Sequence, residues 1–143
     1  MQDTTDRAYV KYVDHCLRFY AQCGRPTQFR ISEVLRQHTP IQDVYVKQAL
    51  VADLQAVSRF MESVPLMDDP TLVMTILEDI YFSSPTRTRS RSALSALVSL
   101  VADKCFVSDS TVYRALSLIR RGVAKERGLT TSNAGVVYFQ RNS

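Results

Sequence analysis

Between Ser92 and Val123 two apolar stripes follow one another with only a short polar break. Leu94, Leu97, Val98, Val101 and Cys105 fall at i, i+3, i+4, i+7 and i+11, the spacing of one helix face. Val112, Leu116, Ile119 and Val123 fall at i, i+4, i+7 and i+11 and make a second face. Ser108 stands where a hydroxyl caps a new helix, and Asp109 follows it against the positive end of the macrodipole. The pattern predicts a helix over about 92–104, a tight turn, and a second helix over about 108–125. Two short amphipathic helices joined this way form a helix-turn-helix, the geometry that sets a helix into the major groove. Many such turns hold a glycine in the left-handed region. Here Cys105-Phe106 stands in that place, and Phe106 is read as a plug for the core.

The face of the second helix opposite its stripe is polar and basic. Side chains near its start suit base edges, and cations further along suit phosphates. Base contact is expected from Ser110, Thr111, Tyr113, Arg114 and Ser117. Backbone contact is expected from Ser108, Arg120, Arg121 and Lys125. Leu129-Thr130-Thr131 and Val136-Val137-Tyr138-Phe139 are β-prone, and Ser132-Asn133-Ala134-Gly135 between them is turn chemistry. The order predicts a C-terminal winged helix-turn-helix with a small β-hairpin wing over 129–139, in which Asn133 reaches a phosphate. The polar loop Ser83–Ser92 adds Arg87, Arg89 and Arg91, read either as backbone contacts or as a solvated loop.

Charge is divided unevenly along the chain. Residues 1–82 hold 8 Lys and Arg against 11 Asp and Glu, net −3, whereas residues 83–143 hold 10 against 3, net +7. The basic excess lies on the half with the helix-turn-helix pattern, as a nucleic-acid surface requires.

The rest of the chain reads as helical. Val10, Val13, Leu17, Tyr20 and Ala21 line a first helix over about 6–22, ended by Gly24 and Pro26. Gln28 to Ile31 reads as a short strand, and Glu33 to His38 as a short helix capped by Ser32. Val46, Leu50, Leu54, Val57 and Met61 stripe a long helix over about 42–62. Asp69 caps a further helix with Pro70 in its first position. The fold class is thus mainly α, with an N-terminal helical subdomain over 1–65 and the winged helix over 66–143. The first subdomain reads as a dimerisation or partner-binding module, or as a degenerate second winged helix.

Several function classes are disfavoured. There is no P-loop, G-x-G-x-x-G or G-x-S-x-G motif, so no catalytic residue is expected and the chain reads as a non-enzyme without cofactor. His15, Cys16, Cys23 and His38 lack the close pairs of a structural zinc site, so no metal is expected. No apolar run approaches the roughly 18 residues of a membrane span, and the first residues lack the apolar core of a signal peptide. Three cysteines, an odd number, suit a reducing cytoplasm.

The run Thr111-Val112-Tyr113-Arg114 followed by Leu116 resembles the recognition helix of Fur-type winged-helix repressors. It is also similar to helix-turn-helix segments of small bacterial, phage and plasmid regulators. The resemblance covers one helix, and it implies a winged-helix fold and DNA binding. Fur-type metal sensing does not carry over, since the chain has two histidines and no C-x-x-C pair. The expected function is a sequence-specific, double-stranded-DNA-binding transcriptional regulator in the cytoplasm, dimerised or partnered through its N-terminal helices. The alternatives are a protein–protein adaptor that uses the winged helix as a docking surface, and a plasmid replication or partition protein.

Overall fold

The structure is a computed structural model that describes residues 4–38, 43–83, 90–131 and 137–139. Six α-helices build it: α1 (Thr4–Gln22), α2 (Ile31–His38), α3 (Val44–Ser63), α4 (Pro70–Ile76), α5 (Arg91–Cys105) and α6 (Asp109–Arg127). A π-helical stretch, Leu77–Phe82, continues α4 directly. Three-residue 3-10 turns, Gln28–Arg30 and Val64–Leu66, precede α2 and follow α3. The strand expected over 28–31 is therefore one of these turns running straight into α2, and Ile31 is buried beneath it.

Local chemistry sets the helix ends. Asp43 caps α3 by accepting from the amides of Tyr45 and Val46, and Asp69 caps α4 by accepting from Leu72. Ser90 and Ser108 do the same for α5 and α6, accepting from Ala93 and Thr111. Each supplies an acceptor to an amide that has no partner in its own helix. Gly128 ends α6 at φ 80°, a left-handed conformation that glycine adopts without strain.

One hydrophobic cluster runs from Tyr9 to Leu129 and draws on every helix. Residues from both sides of position 65 meet in it, because α6 packs along α3 and also touches α1, α4 and α5. Val112, Leu116, Ile119 and Val123 are buried in this seam, as are Val98 and Val101 of α5. Gly122 lets the two long helices approach, since a Cβ there would lie 2.5 Å from the Phe60 ring. No helix among the described residues is long and apolar enough to cross a membrane.

The β-hairpin wing needs correction. The body is helical, and among the described residues no wing stands beside the start of α6. Leu129–Thr131 and Val137–Phe139 do pair antiparallel, Leu129 with Phe139 and Thr131 with Val137, but over three residues a side. This ladder follows the far end of α6 and contacts α1. Leu129 is itself buried in the helical core. A helix of 19 residues is about 28 Å long, so the ladder is a helix length away from the turn where a wing would assist base reading. Residues 132–136, including Asn133, lie outside the described residues, as do Arg87 and Arg89.

Candidate nucleic-acid interface

The turn between α5 and α6 closes on Phe106, at φ 57° and ψ 43°. Its amide donates to the carbonyls of Ala102 and Asp103, and the Val107 amide donates to Ala102 at 3.0 Å. These bonds satisfy the last carbonyls of α5 and turn the chain sharply. Phe106 thus takes the left-handed position that glycine usually holds. It does not plug the core, because it is 95% exposed. Val107, half-buried, turns inward instead. Ser99 of α5 donates to Asp109 Oδ2 at 2.9 Å, which ties the first turn of α6 to its partner helix.

The polar face of α6 divides into an outer strip and an inner edge. Ser110, Arg114, Ser117, Arg121 and Lys125 follow at i, i+4, i+7, i+11 and i+15, so they share one face. Ser110, Arg114, Arg121 and Lys125 are exposed and Ser117 is half-buried. Arg114 donates Nε to the Ser110 carbonyl at 3.5 Å. Tyr113, 41% exposed, flanks the strip. Thr111 is half-buried, and its hydroxyl lies 3.0 Å from that of the capping Ser108, which also meets Ser110 at 3.1 Å. Arg91, at the start of α5, is exposed.

Arg120 does not belong to this strip, and the expectation of a phosphate contact from it is corrected. Its Nε and Nη2 donate to the two oxygens of Asp14 at 3.1 and 3.0 Å. Tyr81 donates to the same carboxylate at 2.7 Å. The Arg120 and Asp14 side chains are only 15% and 13% exposed. Burial and the neighbouring Asp14 charge push the Tyr81 phenol far above its ordinary value of 10.0, so it remains a donor.

Two turns further along α6 the same arrangement recurs. Arg127 Nε donates to Asp53 Oδ1 at 2.6 Å, and Tyr12 donates to that oxygen at 2.6 Å. Burial and the bond to Asp53 raise the Tyr12 phenol as well. Two Tyr–Asp–Arg clusters therefore fasten α6 to α1, α3 and the π-helical stretch. Both carboxylates sit where their helices are otherwise apolar: Asp14 is four residues after Val10, and Asp53 four before Val57. Arg120 and Arg127 each stand four residues beyond a stripe residue, Leu116 and Val123. That coincidence was the available signal for inward-facing arginines.

Cys16 and Cys23 are buried, and burial raises both thiols above their ordinary range. His15 stacks on Phe19 at 6.2 Å, and His38 meets the same ring edge-on at 6.0 Å. No family model, curated protein or solved structure matches the chain.

Proposed function

We propose that this protein binds double-stranded DNA and regulates transcription by laying α6 in the major groove. The observation that carries this reading is the outer strip of α6: Ser110, Arg114, Ser117, Arg121 and Lys125 on one face, opposite a wholly buried Val112, Leu116, Ile119 and Val123. The tight turn at Phe106 supports it, because only residues 106–108 join α5 to α6, the short connection of a helix-turn-helix. In this reading Arg114, with Tyr113, Ser110, Thr111 and Ser117 around it, addresses base edges. Arg91, Arg121 and Lys125 hold phosphates, joined by the Ser108 end of the helix. Dimers formed through the N-terminal half would address two half-sites, and Phe29 and Tyr45, 98% and 83% exposed, are apolar groups available there. A cytoplasmic setting belongs to the same proposal.

Titration against random duplex DNA from roughly 50 to 200 mM salt tests it. Three phosphate contacts give a slope of log K on log salt of about −3. A flat response, or no binding at low salt, overturns the reading. It would favour an adaptor role, for which the exposed Phe106 and the 59% exposed Leu100 offer a protein-docking surface beside the turn.

A further inference from the structure

Leu118 is an anomaly on α6. It is the one aliphatic side chain among the helix's exposed residues, 47% open to solvent and outside the core. On one side its neighbours along the helix surface are cations, Arg114 four residues before, Arg121 three after and Lys125 seven after, whereas the other side holds the uncharged Ala115 and Gly122. Residues three and four apart on a helix lie side by side. An apolar ligand for Leu118 that carries negative charge beside it would therefore pair the cations on that side. An apolar protein groove would have to desolvate those cations without pairing them. The major groove offers the opposite arrangement, since the C5-methyl group of thymine lies on its floor between two walls of phosphate. From this charge complementarity we propose that Leu118 reads a thymine methyl group.

The proposal rests on the duplex-DNA reading and adds to it a base identity. It also adds a position. Four residues of helix rise separate Leu118 from Arg114, about 6 Å, and base pairs stack every ~3.4 Å. The thymine then lies about two base pairs from the base that Arg114 addresses.

The test uses the full chain and its best-bound duplex from a random pool. Each thymine is replaced singly by deoxyuridine, which removes only the methyl group. One thymine, about two base pairs from the position whose preference Arg114→Ala relaxes, should lose about fourfold in affinity, the worth of burying one methyl-sized group. Leu118→Ala should bind the thymine and uracil duplexes equally and keep the salt slope of the parent. The wild-type comparison stands even if that variant folds poorly. Equal wild-type affinity for thymine and uracil at every position overturns the role of Leu118 and leaves DNA binding standing. A thymine–uracil difference that persists in Leu118→Ala overturns it too. Failure to bind any duplex at low salt overturns the DNA reading itself.

Discussion

Asp53 is 4% exposed in the middle of α3, in contact with a guanidinium and a phenol that both donate to it. A buried carboxylate is tolerable only with such partners, and removing one partner strands the others. Asp53→Ala should therefore destabilise the fold by about 3–5 kcal/mol, read from denaturant unfolding. A loss near that of an exposed site would show that Arg127 finds water instead. The phenols give a second test at this scale. Tyr12, Tyr20 and Tyr81 all have raised values in the fold, burial being the largest cause in each. A group whose folded value is raised holds its proton in the native state after the unfolded chain has lost it. Its contribution is complete below the unfolded value of 10.0 and falls away as pH climbs above that value. Melting temperature should fall from about pH 10 upward, with the tyrosinate absorbance of these residues appearing together with unfolding. Tyrosinate absorbance from all seven tyrosines developing in folded protein would contradict the burial of these three rings.

At the scale of elements, α6 is held by its stripe and by the turn that precedes it. Leu116 is 1% exposed, so Leu116→Ala should cost about 2–5 kcal/mol through lost transfer energy and a cavity; an unchanged melting curve would mean the helix is turned the other way. Phe106 makes the opposite case. Its left-handed backbone is strained for a side chain, and that side chain is 95% exposed, so it offers little packing in return. Phe106→Gly should stabilise the fold by up to about 1 kcal/mol, and a loss of stability would reveal packing around the ring. Periodicity makes these helices legible in the sequence: Leu72, Ile76, Leu77 and Ile80 are all buried, as their spacing requires, and Ser108 and Asp69 cap where capping chemistry stands. What periodicity does not register is direction at the margin of a stripe. Arg120 stands at the edge of the stripe, four residues after Leu116, and its pairing with Asp14, 106 residues away in sequence, fixes it inward. Nor does β-propensity register length. Leu129 to Thr131 pair as a strand does, but α6 runs on to Arg127 and delivers them against α1 rather than beside the turn.

For the whole molecule, the two buried clusters give α6 a fixed place on a common core, so the outer strip is presented by a rigid body rather than by a loosely attached helix. Preorganised side chains lose less freedom on binding. The same arrangement separates two arginines that sequence alone treats alike. Arg120 bonds Asp14 on the inside, and Arg121 is exposed on the strip. Arg121→Ala should leave unfolding within about 0.5 kcal/mol of the parent, as surface changes do. It should weaken every duplex about equally and make the salt slope shallower by about 1. Arg120→Ala should do the reverse, losing about 3–5 kcal/mol of stability by stranding Asp14 while its folded fraction keeps the parent's slope. Arg114→Ala completes the set. It should cost about 1–3 kcal/mol on the preferred site and relax one base position, with stability unchanged. Paired titrations of the three variants on preferred and scrambled duplex, alongside their melting curves, separate the roles. If Arg120→Ala flattened the salt slope in folded protein, its guanidinium would have to leave Asp14 on binding, and α6 would not be the fixed element that its two clusters make it.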